Sequence, residues 1–421
     1  MIGANRMTKP ISRRTLLTGA ALLAPAAMAS AAYLDPLKPS FWRPSSAQTA
    51  AVPGAVAAST VRSFGPNGTH WPTHTPKPTA TFQKVIDVAC DWTAIGRAIA
   101  SVTDAQIVAG VHIRVAPGTL PGYGASSGSP AALKGVGRGT AAKNILVSPK
   151  NGWGSVTVAD SARLVGVKGV TFARINGRFM LLTDCSRTAW AQSKVSHGFR
   201  MTSSSGVLEG CSAHEVVMAD AKVDINDPFG YAAGTNSIIK DSLWEGCYCA
   251  PVFRPSGAKD HIDTLQMYGN GAYRGLTIRD STFFGALNSA LQVGGSKPQD
   301  PNLGTPFLTL DHTILTAQIF AIRARYPLPS GAQGPTIGQA INGSGEPGQL
   351  FANDSYVFGS MYDTQWASVT NSFTSYDKAA SKNVAGEGGW QVDRGMSSYG
   401  ASWFDQQTPT PTDAYLARIW A

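Results

Sequence analysis

The sequence is short of charge: Asp, Glu, Lys and Arg make up 14% of its 421 residues, against roughly 25% in an average globular chain. Solvent-facing helices need a charged outer side, so this shortage argues against a helical protein. The five cysteines form neither a CxxC pair nor a zinc-ligand spacing, which argues against a zinc site. A bridge such as Cys185 to Cys211 stays open, but buried free thiols are favoured. An all-β fold is predicted.

Long apolar runs are also missing beyond the N-terminus. There, Arg13 and Arg14 precede an Ala/Leu-rich stretch that closes with small residues around Ala27 and Ala29. This pattern resembles a twin-arginine export signal, which we predict over residues 1–32, with an uncleaved membrane anchor as the alternative. Loss of its four basic residues lowers the formal net charge from +9 to +5. We therefore expect a periplasmic or secreted protein with no further membrane contact.

Residues 33–83 are rich in Pro, Ser, Thr and Ala without a sustained period, which is typical of a tether or a loosely packed extension. Order is predicted over residues 84–421. Asp91 is predicted to be the N-cap of an amphipathic helix, because Ile95, Ala98, Ile99 and Val102 recur at helical spacing. A helical pattern returns at residues 413–420, where we expect a cap at the far end of the domain.

Between these helices a short motif recurs roughly every 30–40 residues. It contains a turn, a small residue and a large apolar residue two positions on. A unit of this size cannot bury its apolar side alone, so stacked copies are predicted. The small positions are Val170, Cys211, Ser242, Ser281, Thr313 and Ser355.

The order of cap helix, Val-Ala-Pro-Gly-Thr (residues 115–119) and repeats resembles the right-handed parallel β-helix proteins of the pectate-lyase superfamily. The resemblance covers roughly residues 84–375. It implies a single-stranded β-helix that begins with a capping helix, and a β-sandwich is the alternative. The superfamily contains lyases, hydrolases, epimerases and non-catalytic adhesive proteins, so the resemblance is weak for chemistry.

Five segments within the repeats read apolar-polar-apolar. Alternation along a strand should place their middle residues on one outer sheet, one per repeat and about 4.8 Å apart. In such a row, guanidinium groups, which donate two parallel hydrogen bonds, and amide or carboxylate acceptors can bind successive carboxylates and hydroxyls of a linear acidic polysaccharide. The sequence has no Lys/Arg cluster of the kind that nucleic-acid binding requires, so a nucleic-acid partner is not expected. We also expect a monomer. The predicted row consists of Arg200, Asp224, Gln266, Gln292 and Arg323.

Residues 254–268 hold the densest set of titratable and amide side chains. His261 and Asp263 are two positions apart, on one side of an extended segment, as acid–base chemistry requires. The stretch resembles the H-x-D-x-(I/L)-Q segment of uncharacterised bacterial β-helix proteins. More distantly it resembles the N-T-D-G strand of polygalacturonase-like hydrolases, with Asp263 at the Asp. Their later Asp-Asp and Gly-His-Gly motifs are missing here.

The predicted catalytic residues are Lys259, His261, Asp263 and Arg323. The predicted substrate-binding residues are Arg254, Gln266, Tyr268, Gln292 and Arg200. The plainer alternative is a structural hydrogen bond between His261 and Asp263, with Lys259 and Arg254 as solvated loop charges.

A lyase that cleaves a uronate polymer by β-elimination is the leading hypothesis. An epimerase would share its proton abstraction. A hydrolase would need a second carboxylate opposite Asp263, from Asp260, Asp224 or Asp241. A non-catalytic polysaccharide-binding protein is the third alternative. Asp224 and Asp227 are candidate Ca²⁺ ligands, but a plain turn is the favoured interpretation of Asp-Pro there; no other cofactor is expected.

Overall fold

The structure is a computed structural model that describes residues 62–124, 128–293, 297–298, 307–317, 325–333, 339–375 and 389–421. The predicted export signal lies outside these residues. In the described part, no helix is long and apolar enough to cross a membrane. The helices are α1 (Trp92–Ser101), α2 (Asp104–Ala109), a 3-10 helix (Arg394–Ser398), α3 (Ala401–Gln407) and α4 (Asp413–Ile419).

The fold is mostly β, as predicted. The strands are β1 (Lys84–Val88), β2 (Val111–Val115), β3 (Gly118–Leu120), β4 (Leu133–Lys134), β5 (Ile145–Pro149), β6 (Val156–Val158), β7 (Ser161–Val165), β8 (Val170–Ala173), β9 (Gly177–Thr183), β10 (Ala189–Ser203), β11 (Val207–Glu209), β12 (Ser212–Met218), β13 (Lys222–Val223), β14 (Phe229–Ala233), β15 (Ile238–Lys240), β16 (Leu243–Glu245), β17 (Tyr248–Cys249), β18 (Val252–Phe253), β19 (Asp263–Gly269), β20 (Ala272–Arg274), β21 (Leu276–Phe284), β22 (Ser289–Val293), β23 (Lys297–Pro298), β24 (Leu308–Thr316), β25 (Gln339–Asn353), β26 (Tyr356–Phe358), β27 (Ser360–Thr370), β28 (Phe373–Thr374) and β29 (Gln391–Val392).

These strands stack in columns of parallel pairs. The first column contains β7, β9, the end of β10, β14, β19, β22 and β25. The second contains β8, the start of β10, the start of β12, β16 and the start of β21. The third contains the end of β12, β17, the end of β21, β24, β26 and β28. We call one passage of the chain through the columns a coil.

Left-handed residues mark the turns between columns. Before the second column they are Gly169, Arg187, Gly210, Asp241 and Gly275, with φ between 48° and 63°. Between the second and third columns they are Gln192, Glu215, Gly246, Asp280, His312, Asp354 and Asn371, with φ between 46° and 64°. One such residue bends the chain from one column into the next without adding length, and so keeps neighbouring coils in register.

The repeat motif predicted from the sequence corresponds to two different turns in the structure. Val170, Cys211 and Ser242 follow the turn before the second column, whereas Ser281, Thr313 and Ser355 follow the next turn. Both turns join a left-handed residue to a small side chain that is buried, so they look alike in sequence.

The coils enclose a hydrophobic core. Trp244 is fully buried and packs against Phe199, Phe229 and Phe283, with ring centroids 5.1–6.4 Å apart. Burial of apolar surface is the main favourable term in folding. Aromatic rings contribute a large share of that surface here. All five cysteines are free, including Cys185 and Cys211.

The predicted helix forms as α1, and Asp91 caps it by accepting a hydrogen bond from Ala94 N at 2.9 Å. The buried side of α1, which includes Trp92, Ile95 and Ile99, packs against β1, β2 and β4. An apolar stripe on a short helix thus covers strands near the start of the coils.

Of the predicted extension, residues 33–61 lie outside the described residues, whereas residues 62–75 pack on the coils. Glu215 is fully buried and its Oε1 accepts from Asn67 N, Gly68 N and His70 Nδ1 at 2.8–3.0 Å. Trp420 donates its Nε1–H to the other oxygen, Oε2. We call this junction of Glu215, the N-terminal segment and the C-terminal Trp the clasp.

The C-terminal helix is positioned by the clasp. Residues 413–419 form α4 as expected, but α4 does not cover the last strands. Lys194 Nζ, on β10, contacts Asp413 Oδ1 at 2.8 Å, and Trp153 packs on Trp420. The helix therefore lies along the side of the middle coils, which differs from the expected far-end cap.

Candidate functional site

The first column carries a row of residues at one register position. Arg200 is adjacent to Leu181 and Gly230, Gly230 to Gln266, Gln266 to Gln292, and Gln292 to Asn342. The flanking Leu265 and Met267 are buried and Gln266 is half-buried, as strand alternation requires. We call this row the outer strip. The register places three predicted residues, Arg200, Gln266 and Gln292, in it.

Asp224 was wrongly predicted to belong to the outer strip, where its position is taken by Gly230. A Cβ atom on Gly230 would lie 2.7 Å from Gln266 O, so the backbones need glycine there. Asp224 instead follows β13, where its carboxylate accepts from Ile225 N at 2.7 Å and pairs with Lys222 Nζ at 2.9 Å. The extra residues between β13 and β14 shifted the alignment of this repeat with its neighbours, so Asp224 was matched to the position of Gly230.

Arg200 is the centre of the site. Its Nη1 donates to Tyr268 Oη at 3.1 Å and its Nη2 to Asp227 O at 2.8 Å. The guanidinium carbon lies 5.4 Å from the ring centroid of Phe179 and 5.7 Å from that of Tyr268. Its buried Nε has no hydrogen-bond partner within the described chain. The Arg200 guanidinium is thus held rigidly by its ring contacts and by the hydrogen bonds of Nη1 and Nη2.

Two hollows meet at Arg200, and together we call them the groove. One has a volume of about 310 Å³ and is lined by Arg178, Lys222 and Asp227, among others. The other has about 450 Å³ and is lined by Arg163, Thr202 and Tyr268, among others. In the first hollow, Arg178 and Lys222 are paired with Asp160 and Asp224. The charged side chains that line the second hollow are Arg163 and Arg200, so this part of the groove suits an anionic ligand.

Asp263 was expected in the open groove, but its side chain is fully buried. It shares strand parity with the inward-facing Leu265 and Met267, and lies at the corner where the chain enters the first column. Its Oδ1 accepts from Asn288 Nδ2 at 2.8 Å and from Ser289 Oγ. Burial raises the pKa of Asp263 to about 6, although these two hydrogen bonds oppose the shift.

His261 lies on the solvent side of the same corner, with 63% of its side chain exposed. Its Nε2 is 3.2 Å from the amide nitrogen of Gln266 and 3.9 Å from Asp263 Oδ2. Asp263 Oδ2 has no hydrogen-bond partner among the residues described. The predicted pair is therefore close in space, with a buried carboxylate behind an exposed imidazole.

Asp227 is the residue whose role at this corner was missed. Its Oδ1 accepts from Asp263 N at 2.8 Å, and burial raises its pKa. The half-buried Asp227 and the fully buried Asp263 thus lie side by side in successive coils, which none of Asp260, Asp224 and Asp241 provides. The Asp-Pro sequence at residues 227–228 suggested only a turn, since nothing local in the sequence reports the neighbouring coil.

The remaining predicted residues are not all brought together. Arg254 donates to Gln333 Oε1 at 2.6 Å and to Asp260 O at 2.8 Å, which holds the loop before β19. Lys259 is exposed on that loop, and no hydrogen bond or ion pair within the described chain joins it to His261 or Asp263. Arg323 lies outside the described residues.

No group of three His, Cys, Asp or Glu side chains in the described ranges could hold a metal ion. Asp224 is engaged by Lys222 and backbone amides, and Asp227 by Asp263 N. The carboxylates that were candidate Ca²⁺ ligands therefore have protein partners.

No family model matches the sequence, and neither does any curated protein. Among solved structures, a PL6-family polysaccharide lyase from Pseudopedobacter saltans is 12% identical, over 73% of this chain and 96% of that one, with a TM-score of 0.20. The A-module of the Azotobacter vinelandii mannuronan C-5 epimerase AlgE6 is also 12% identical, over 69% and 93%, with a TM-score of 0.18. Likenesses this distant carry no argument about chemistry, which depends here on the geometry of the site.

Proposed function

We propose that this chain is an exported right-handed parallel β-helix enzyme that acts on an acidic polysaccharide, as a lyase that cleaves uronate linkages by β-elimination. The observation that carries the proposal is the arrangement around Arg200. The fixed Arg200 cation lies in the groove together with Arg163. The outer strip leads from Arg200 to Gln266, whose amide contacts the exposed His261 imidazole beside the buried Asp263 carboxylate.

Each requirement of β-elimination has a candidate. Arg200 binds the uronate carboxylate and withdraws charge from it, which acidifies the neighbouring C–H bond. His261 Nδ1 takes the C5 proton, and Asp263 Oδ2, which faces the other ring nitrogen at 3.9 Å, stabilises the imidazolium that forms. Tyr268 accepts a hydrogen bond from Arg200, so its own O–H proton is directed to the leaving oxygen. Gln266 and Gln292 bind hydroxyls of neighbouring sugars.

The test is the formation of unsaturated uronate ends. The purified chain without residues 1–32 is mixed with alginate, pectate and glucuronan, and the absorbance of the new double bond is followed. His261→Gln should lower the rate by about 10²-fold or more, which is the usual contribution of a general base. Arg200→Gln should lower kcat/KM by roughly 10–100-fold, because a charge-assisted contact is lost.

Arg97→Gln is the matched control, since Arg97 is exposed on α1 and does not line the groove. It should leave the rate unchanged. Absence of unsaturated product with all three polymers, or an unaltered rate in His261→Gln, would reject the lyase.

A hydrolase is the second candidate, and the adjacent carboxyls of Asp227 and Asp263 favour it. The raised pKa of Asp263 suits a general acid. This reaction would release reducing ends without unsaturation, and both Asp227→Asn and Asp263→Asn would abolish it. In a protein that only binds polysaccharide, Asp263→Asn would leave glycan binding unchanged.

A further inference from the structure

A second cluster of reactive side chains lies on the second column, separate from the groove. Ser212 and His214 are two positions apart on β12, with the buried Ala213 between them, so both side chains point outward. Glu245 is the register partner of His214 on β16, one coil further on. Three side chains from two neighbouring strands are thus fixed by backbone pairing alone.

The distances among the three are those of a nucleophile, a base and an orienting acid. Ser212 Oγ is 2.9 Å from His214 Nε2, and His214 Nδ1 is 2.9 Å from Glu245 Oε2. One tautomer satisfies both contacts: Nδ1–H donates to the carboxylate and Nε2 accepts from the serine hydroxyl. His214 is buried and Ser212 is half-buried, so the imidazole is shielded while the hydroxyl remains accessible.

All three side chains line one cavity of about 260 Å³. The N-terminal segment forms a wall of it through Thr73 and His74. Arg187 also lines the cavity, and its buried Nε has no hydrogen-bond partner within the described chain. The positive charge of Arg187 beside the cavity can stabilise the negative charge that develops on an acyl oxygen.

We propose that Ser212, His214 and Glu245 form a hydrolytic site for short-chain acyl esters of hydrophilic alcohols. The arginine, aspartate and histidine side chains around the cavity disfavour a long apolar chain, so we expect a short acyl group such as acetyl. This activity is independent of the groove and of the proposed β-elimination.

The reaction follows from the geometry. Ser212 Oγ adds to the ester carbonyl carbon while its proton passes to His214 Nε2. The carbon–oxygen bond to the alcohol then breaks, and the alcohol leaves with that proton. Water adds to the acyl-serine, again giving a proton to His214, and the carboxylic acid departs as Ser212 recovers its hydrogen. Glu245 is a positioning residue that holds the imidazole tautomer.

The test uses the chain without residues 1–32. It should hydrolyse p-nitrophenyl acetate faster than p-nitrophenyl octanoate, and a fluorophosphonate should label Ser212, as located by peptide mass spectrometry. Ser212→Ala should lower hydrolysis at least about 10²-fold and abolish labelling. Glu245→Gln should lower kcat by about 10²–10⁴-fold with little change in KM, which a merely structural role would not produce.

Ser196→Ala is the matched control. Ser196 Oγ lies 3.2 Å from His197 Nδ1, but in the described chain no carboxylate hydrogen-bonds to that histidine, so the variant should keep full activity and labelling. Circular dichroism and thermal unfolding establish that each variant is folded. Label on any other serine, hydrolysis that persists in folded Ser212→Ala, or no hydrolysis and no labelling of the unmodified chain would each overturn the proposal.

Discussion

Two carboxylates, Glu215 in the clasp and Asp263 at the edge of the groove, are both fully buried yet have opposite surroundings. Glu215 accepts hydrogen bonds on both oxygens, from backbone amides, His70 and Trp420. Asp263 has one satisfied oxygen and one that only faces His261 at 3.9 Å. The first arrangement stabilises the folded chain, whereas the second leaves an acceptor for chemistry.

Removal of the Glu215 charge should have the largest effect on stability. Glu215→Gln leaves protonated His70 with a weakened partner and turns an amide N–H towards backbone N–H groups, which should cost about 3–5 kcal/mol. Denaturant unfolding measures the loss. Glu209→Gln is the control, because Glu209 forms an exposed pair with Lys240 and should change stability by less than about 1 kcal/mol. Equal losses of stability in the two variants would show that the clasp stabilises the fold no more than the Glu209–Lys240 pair does.

The clasp should weaken at alkaline pH. Burial alone would lower the pKa of His70, but hydrogen bonds to Asp280 and Glu215 outweigh it and raise the pKa to about 9. A raised histidine pKa contributes stability that is complete below about pH 6.5 and is lost as the pH rises through 9, by roughly 3 kcal/mol. Unfolding measured from pH 6 to 10 should show this decline. His70→Gln should flatten it, and a slope that persists in the variant would contradict this assignment.

Asp263 should show the opposite relation between charge and stability. Its folded pKa of about 6 exceeds the unfolded value, so the folded state binds the extra proton and stability falls as the pH rises from about 4 to 6. The loss is roughly 2–3 kcal/mol. Asp263→Asn should therefore be at least as stable as the parent at pH 7 while its catalytic activity falls. A large destabilisation in urea unfolding would make Asp263 a structural residue like Glu215.

The smallest effect should come from Trp420→Phe. This change keeps the aromatic packing on Trp153 but leaves Glu215 Oε2 without its donor, which should cost about 1–2 kcal/mol. Trp71→Phe is the control, since Trp71 Nε1 donates to the neutral backbone carbonyl of Thr75 rather than to a buried carboxylate, and its loss should cost less. Thermal unfolding compares the two, and a larger loss in Trp71→Phe would argue against the role of Glu215.

Local patterns in the sequence were enough to predict α1, because Asp91 and the apolar spacing report the helix directly. Alternation likewise predicted the outward positions of Arg200, Gln266 and Gln292. It failed for Asp224, because loops of unequal length separate the coils. Asp263 has the parity of the buried Leu265 and Met267, and the corner before it separates its side chain from the exposed His261. The contact of Glu215 with His70 spans 145 residues, so no local pattern could reveal it. The burial of Asp227 by the following coil was hidden for the same reason.

The clasp also decides how tension would act on this molecule. The segment near Gly68 and the last turn of α4 meet at Glu215, so a pulling force applied at the two ends of the ordered chain is borne first by the contacts of Arg62 and Phe64 and then by that junction. The stacked strands would carry almost no load until it ruptured. In an optical trap, we therefore expect one short early extension, followed by the much longer release of the coils.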